Sequence, residues 1–364
     1  MTDDANSHGR DEPLGLTIRH VFLDTAIYRQ HGHDLTRAPI KALASHLSDE
    51  WLNLHFTDIT LLEIKRQIYD DAVKLAGKVG EFGRSLDRWR SMAPGLIGNS
   101  PEPIDAEAVA RAAFSKFRLT LYRWNAKEHK ALDLPAASIF ERYFERKPPF
   151  DDQKSNKEFP DAFVIAALED WCRRTGSNMY VVTTDKAMLR AADESDLLVP
   201  VTSLEELLEM ATAAETPDIV ERVERILRDA VFETKLSEAI RADIGWVGTV
   251  YRGDLIGGDV YEIEFLDELE VESFSVLSAS SESIDVLMRV KVRLLVQASY
   301  QDIVKASYDS ETHEYIGAET EYIEFENTPI IQVLVEIDPS NDKVLDITIM
   351  TRDVYLSEPY EDYK

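Results

Sequence analysis

The sequence has few of the residues that form disulfides, membrane spans or disordered regions. Its 364 residues include one cysteine, Cys172, which excludes an intrachain disulfide. No apolar run approaches the roughly 18 residues that a membrane span requires. With 44% hydrophobic residues, 15 glycines and 14 prolines, the composition is typical of a globular protein rather than a disordered or fibrous one. We therefore expect buried cores, a reducing compartment and a cytoplasmic location.

Basic residues are also scarce, and their distribution is uneven. The chain has 40 Lys and Arg residues against 68 Asp and Glu residues, a net charge of −28. This balance argues against a protein that coats duplex nucleic acid. Residues 1–215 carry 27 basic and 35 acidic residues, whereas residues 216–364 carry 13 and 33. The C-terminal part therefore holds most of the excess negative charge.

Short apolar strands alternate with helices in the N-terminal part. A strand pattern precedes Asp24, a second one covers residues 52–57, and the clearest one precedes Asp185. Helical patterns follow each of them, which predicts an α/β fold: a three-layer α/β/α domain with a parallel sheet. We expect it over residues 19–215, after a disordered tail over residues 1–18. A helical insert over about residues 64–146 is expected to contain helices near 105–116 and 121–132.

The pattern changes beyond residue 216. One long helix over about residues 218–242 is followed by many β-branched, alternating runs that turn signals separate. Residues 216–364 are therefore predicted to form an acidic α+β domain with a mostly antiparallel sheet.

Four acidic residues stand where the alternation of strands and helices would bring them together. Asp24 and Asp185 each follow a strand, whereas Glu63 and Asp161 each stand near the start of a helix. The carboxyl ends of parallel strands meet at one edge of a sheet, where ligands of open α/β sheets bind. Clustered carboxylates repel one another, so such a site requires cations, and oxygen ligands suit Mg²⁺ or Mn²⁺.

Four short motifs in the same region resemble those of PIN domains, in particular a PIN-like branch with an enlarged helical insert: Phe22-Leu23-Asp24-Thr25, Thr57-Asp58-Ile59-Thr60-Leu61-Leu62-Glu63, Glu158-Phe159-Pro160-Asp161-Ala162-Phe163 and Val181-Val182-Thr183-Thr184-Asp185-Lys186. The resemblance covers about residues 19–205. Each motif is short, but the four occur in the expected order and on the expected elements.

PIN domains are Mg²⁺- or Mn²⁺-dependent nucleases, so the resemblance implies metal-binding and catalytic roles for Asp24, Glu63, Asp161 and Asp185. It implies a metal-dependent endoribonuclease, in which metal-activated water attacks the phosphodiester and leaves 5′-phosphate and 3′-hydroxyl ends. Asp58 is the alternative to Glu63 as the second acid. A structure-selective DNA nuclease and a non-catalytic PIN-like scaffold that acts through protein contacts remain open.

Substrate contacts are expected from residues beside the last acid and from the insert. Thr184 and Lys186 flank Asp185, and a basic segment supplies Arg84, Arg88 and Arg90 around an aromatic side chain. The polar segment 146–157 directly precedes the third motif and is predicted to form a mobile flap over the site.

The C-terminal domain is expected to serve control rather than substrate capture. Its charge of −20 repels the backbone of RNA or DNA. It could screen the substrate, bind a basic regulatory protein, promote self-association, or support the nuclease domain structurally.

Overall fold

The protein contains two compact units, Met1–Ala214 and Glu215–Lys364. The computed structural model describes residues 18–48, 51–150, 157–304, 306–309 and 314–358. Nearly all of the predicted N-terminal tail, and residues 151–156 of the predicted flap, lie outside these described residues. Among the described helices, none combines the length and the apolar character that crossing a membrane demands.

The first unit alternates strands and helices along the chain. Its strands are β1 (His20–Leu23), β2 (Asn53–Thr57), β3 (Lys127–His129), β4 (Met179–Val182) and β5 (Leu198–Val201). Its helices are α1 (Thr25–Gln30), α2 (Ile40–Ser48), α3 (Asp58–Met92), α4 (Ala106–Arg123), α5 (Ala136–Phe144), α6 (Phe159–Thr175), α7 (Lys186–Asp193) and α8 (Leu204–Glu215).

The five strands form one parallel sheet in the order β3-β2-β1-β4-β5. The chain extends the sheet from β1 towards β3 and then returns to add β4 and β5 on the other side. Strands β1 and β4 are therefore neighbours, with Leu23 opposite Val182. This reversal of strand order is where open α/β sheets bind ligands. The predicted parallel α/β/α architecture is confirmed.

The strands are apolar because both faces of the sheet are covered. Phe22 and Val181 pack against α6 and α7 in one core, which includes Leu168 and Ala191. All four residues of β4 are buried, so the strand has no solvent-facing side. Continuous apolar runs of this kind are typical of parallel sheets.

Helix α6 carries its own start and stop signals. Pro160 occupies the first turn, where its missing N–H costs nothing, and Gly176 ends the helix in the left-handed conformation with φ +66°. Asp161 therefore lies in the first turn of α6, as the sequence predicts.

The insert differs from the expectation of two helices near 105–116 and 121–132. A single helix, α4, covers the first region and continues to Arg123, and Asn125 then takes a positive φ of 52°. Residues 127–129 form the edge strand β3 instead of a helix. The predicted second helix is wrong because pairing with β2 outweighs the helix propensity of this segment.

The second unit contains two helices and an antiparallel sheet. Its helices are α9 (Ile219–Leu227) and α10 (Ala230–Asp243). Its strands are β6 (Gly248–Tyr251), β7 (Asp259–Ala279), β8 (Ile284–Asp302), β9 (Ser307–Asp309), β10 (Glu314–Ile316), β11 (Glu319–Asn327), β12 (Ile330–Ile337), β13 (Val344–Ile349) and β14 (Asp353–Leu356). The long strands β7 and β8 pair with each other, and β11, β12 and β13 complete the main sheet. The mostly antiparallel prediction is confirmed, although β6 and β14 pair in parallel.

The predicted single helix over 218–242 is instead two helices. Asp229 separates them, because its side chain accepts a hydrogen bond from the N–H of Val231 and so begins α10. An Asp that caps a helix offers the backbone a partner outside the helix and interrupts a continuous run.

Candidate metal centre

Asp24 lies at the junction of β1 and α1, at the reversal of strand order. It is only 7% exposed. Its N–H donates to the carbonyl of Val182 on the neighbouring strand β4, at 3.0 Å. Its Oδ1 accepts from the N–H of Thr25 at 2.6 Å, and its Oδ2 accepts from the hydroxyl of Thr183 at 2.7 Å. Burial raises the pKa of Asp24 above its ordinary value, although these hydrogen bonds act in the opposite direction.

Thr183 connects two of the predicted acids. Its fully buried side chain donates to Asp24 and also accepts from the N–H of Asp185, at 3.0 Å. Asp185 caps α7, with Oδ1 accepting from the N–H groups of Ala187 and Met188 at 2.8 and 3.0 Å. The hydroxyl of Thr183 thus links the residues that follow β1 and β4, and fixes the position of Asp24 relative to Asp185.

The contribution of the Thr183 hydroxyl to stability can be tested by substitution. We expect Thr183→Val, which keeps the shape but removes the hydroxyl, to lower the free energy of unfolding by about 1–3 kcal/mol, since a buried carboxylate loses a donor. Thr183→Ser keeps the hydroxyl and should lose much less. The matched control is Thr184→Val, because Thr184 is exposed and adjacent. Urea unfolding monitored by circular dichroism measures the difference, and equal losses at positions 183 and 184 would contradict this role.

Three carboxylates converge where α6 begins. Oxygens of Glu158, Asp161 and Asp185 all lie within 4.8 Å of one another, close enough to hold one metal ion. Burial, together with the charges of Asp24 and Glu63, raises the pKa of Asp161 to about 8. Together these five residues are called the acid cluster.

Glu63 belongs to the cluster through its position in the second turn of α3. Burial raises the pKa of Glu63, whereas hydrogen bonding from the nearby Thr25 side chain lowers it; the charge of Asp24 raises it, and those of Arg66 and Arg29 lower it. Asp58 has other partners: its Oδ1 accepts from the N–H groups of Ala131 and Leu132, at 2.9 and 3.3 Å. Asp58 therefore holds the loop after β3 in place.

The chemistry of the acid cluster fits a hard divalent cation. None of the ion pairs formed between described residues includes any of its five members. Arg66 and Arg29 lower the pKa of Glu63 through their charge, but neither forms an ion pair with it. Carboxylate oxygens at this spacing are the ligands that Mg²⁺ and Mn²⁺ prefer.

The structure brings the four predicted acids together but not the predicted arginines. Arg84, Arg88 and Arg90 lie in the second half of α3, and at 1.5 Å per residue Arg84 is about 30 Å along the helix from Glu63. Arg90 forms an ion pair with Asp87 at 2.7 Å. Thr184 and Lys186 lie beside the cluster, and both side chains are exposed.

Two members of the site were not anticipated from the sequence. Glu158 stands one helical turn before Asp161 in the same motif, and that spacing was the available signal. Thr183 precedes Thr184 at the end of β4, and only the direction of its side chain distinguishes the two. Alternation along the strand does not favour either residue, because Val181 and Val182 are both buried.

Comparison with known proteins gives one match, in the first unit. Residues 21–188 match the family model of the PIN domain, a match that spans the sheet from β1 to β4 and every member of the acid cluster. No curated protein and no solved structure shows significant similarity to the chain.

Proposed function

We propose, from the premise that residues 21–188 form a PIN domain, that the protein is a metal-dependent endoribonuclease. The observation that carries this proposal is the convergence of Glu158, Asp161 and Asp185 within 4.8 Å, at the reversal of strand order in the sheet. The PIN fold implies a nucleic acid as substrate, and the resemblance to this family favours RNA.

The residues of the acid cluster would have different roles according to their positions. Glu158, Asp161 and Asp185 would hold Mg²⁺ or Mn²⁺, with Asp24 and Glu63 adding negative charge beside them. When bound, the ion supplies an acidified water molecule and positive charge opposite the scissile phosphate. Thr183 keeps Asp24 and Asp185 in register, and Thr25 orients the carboxylates of Asp24 and Glu63.

The function is tested by cleavage of three labelled substrates of matched sequence: single-stranded RNA, single-stranded DNA and a flapped DNA duplex. We expect RNA cleavage with Mn²⁺ or Mg²⁺, none with EDTA, and 5′-phosphate product ends. Preferential cleavage of DNA or of the flap would replace this proposal with the DNA nuclease. A folded protein that cleaves none of the substrates would support the non-catalytic scaffold that acts through protein contacts.

Two matched amide substitutions separate the candidate second acids. We expect Glu63→Gln to lose cleavage by at least about tenfold, since residues that support metal ligands typically cost 10–100-fold. Asp58→Asn should leave the rate nearly unchanged, because its amide oxygen can still accept from Ala131. Initial rates at saturating Mn²⁺ measure the difference, and the opposite ranking would assign the role to Asp58.

We further propose that the second unit controls the nuclease rather than binds RNA. The cations that line β8 are already paired across the sheet: Arg289 with Glu272, Lys291 with Glu270, and Arg293 with both Glu268 and Glu326. Pairing of this kind leaves a predominantly acidic sheet surface, which suits a basic regulatory partner or self-association. Sedimentation of the full chain over a concentration series would show whether self-association occurs.

A further inference from the structure

A group of aromatic rings lies between α5 and the start of α6. Its members are Phe140, Tyr143, Phe144, Phe150 and Phe159, and we call this group the aromatic platform. Neighbouring ring centroids are 4.9–6.3 Å apart, the range in which aromatic pairs attract. The rings therefore support one another in a fixed arrangement.

The platform has a buried base and an exposed top. Phe150 is 2% exposed and packs with Ile139 of α5 and Ala162 of α6. Phe140 and Phe144, by contrast, are 45% and 77% exposed. They are four residues apart on α5, so both rings project from the same face of the helix. Two phenyl rings thus face solvent on a rigid, well-packed support.

The platform and the acid cluster both have members at the start of α6. Phe159 is the first residue of α6 and stands between Glu158 and Asp161 in the chain. Its ring centroid is 5.4 Å from that of Phe140 and 4.9 Å from that of Phe150. Phe159 thus lies in the same first turn of α6 as Asp161, directly after Glu158, although side chains one or two positions apart lie on different faces of a helix.

We propose that Phe140 and Phe144 stack against unpaired bases of the nucleic acid strand that enters the acid cluster, so that the substrate is single-stranded. This inference rests on the proposed function. Only unstacked bases offer their faces to aromatic side chains, and stacking of this kind tolerates any base sequence. A duplex keeps its base faces covered and gains nothing from the platform.

The charges around the platform support base stacking over phosphate contact. Glu141 and Glu145 are exposed on the same helix, Lys147 is paired with Glu145 at 2.7 Å, and Arg142 is paired with Glu169 at 3.2 Å. These partners leave little net positive charge from α5 to offer a phosphate backbone. The platform should therefore contribute an affinity that salt hardly changes, unlike phosphate contacts.

The experiment measures binding of two fluorescent single strands in EDTA, so that it does not depend on catalysis. The strands have equal numbers of phosphates, and one carries abasic positions in place of bases; RNA and DNA versions are both used. The main variant is Phe140→Leu with Phe144→Leu, which keeps apolar area but removes the rings. Phe82→Leu is the matched control, because Phe82 is 58% exposed on α3, away from the platform.

We expect the wild type and the control to bind the normal strand about tenfold more tightly than the abasic strand, as stacking of one base typically provides. The double Leu variant should lose this preference. The ratio of the two affinities should fall by the same factor at 50 mM and at 200 mM salt. Phe144→Trp should retain it.

Equal preference in the wild type and the double Leu variant would overturn the proposal, and so would a wild type that does not distinguish the strands. Either result would be expected if another protein or another part of the chain covered the rings. Adding Mn²⁺ to the same samples reports cleavage separately. Base stacking without cleavage would overturn the proposed catalysis and leave the platform in place.

Discussion

Asp161→Asn is expected to abolish cleavage and, at the same time, to stabilise the metal-free protein. Cleavage should fall by more than about a hundredfold, because even groups behind the metal ligands typically cost 10–100-fold. Stability should rise because the carboxyl group of Asp161 is buried among Asp24, Glu63, Asp185 and Glu158, whose charges oppose its ionisation.

The stabilisation by Asp161→Asn has a definite pH dependence. The pKa of Asp161 is about 8 in the folded protein against 3.8 in the unfolded chain. Between these values the folded protein keeps a proton that the unfolded chain releases, so the wild type loses stability as pH rises from about 4 to about 8. The variant should therefore match the wild type near pH 4 and exceed it by a few kcal/mol, in order of magnitude, near pH 8.5.

Thermal unfolding with and without Mn²⁺ measures both effects of Asp161→Asn. Mn²⁺ should raise the melting temperature of the wild type much more than that of the variant. The control is Asp170→Asn, which lies on the same helix and pairs with Arg174 at 2.9 Å; it should retain cleavage and the Mn²⁺ response. A variant that is destabilised in EDTA, or that still cleaves RNA, would contradict the assigned position of Asp161.

The second large effect is the loss of stability that buried histidines of the first unit contribute in acid. Three imidazoles on adjacent strands form a hydrogen-bonded chain: His20 Nδ1 lies 3.1 Å from His55 Nε2, and His55 Nδ1 lies 2.7 Å from His129 Nε2. His55 is fully buried, and Trp171 packs against it. Burial lowers the pKa of all three, that of His55 to about 2, and the positive charge of Lys127 acts in the same direction.

Since the folded pKa of His55 lies below its ordinary value of 6.5, the unfolded chain binds more protons in acid. The contribution of His55 to stability is then constant above about pH 6.5 and falls below it, which is opposite in direction to the contribution of Asp161. At pH 5 the loss from His55 alone should be about 2 kcal/mol, at 1.36 kcal/mol per pH unit. His20 and His129 add to it in the same direction.

Urea unfolding at pH 5 and pH 7 tests this expectation. His55→Gln keeps a donor and an acceptor for the neighbouring imidazoles but cannot be protonated. From pH 5 to pH 7 the free energy of unfolding of the wild type should rise by about 2 kcal/mol relative to that of the variant, because the opposite contribution of Asp161 is common to both proteins. Equal changes in the two proteins would mean that the imidazole chain is not what acid disrupts.

The acids at the ends of β1 and β4 could be predicted because the local pattern was unambiguous. A four-residue apolar strand followed by an acid is rare on a solvated surface, and the parallel sheet then brings Asp24 and Asp185 to one edge. Glu158 could not be distinguished in the same way, since an acid before a helix is ordinarily an exposed capping charge. Its part in the site depends on where α6 begins.

Other features depended on strand pairing, which local sequence does not encode. His20, His55 and His129 are far apart in the chain, and only the register of β1, β2 and β3 aligns them. Because of the same pairing, residues 127–129 form an edge strand and not the predicted helix. The arginines were predicted to bind substrate from their composition, but their distance from the acids depends on α3 being one uninterrupted helix.

Because α3 is continuous, an RNA strand needs a minimum length to contact both ends of the helix. Glu63 stands near its start and Arg84, Arg88 and Arg90 near its end, in one helix without a break from Asp58 to Met92. A stacked strand advances about 3.4 Å per nucleotide, so a gap of about 30 Å corresponds to about nine nucleotides. The length of α3 would thus set the shortest strand that contacts both the acid cluster and the arginines, and shorter strands would contact the acid cluster alone.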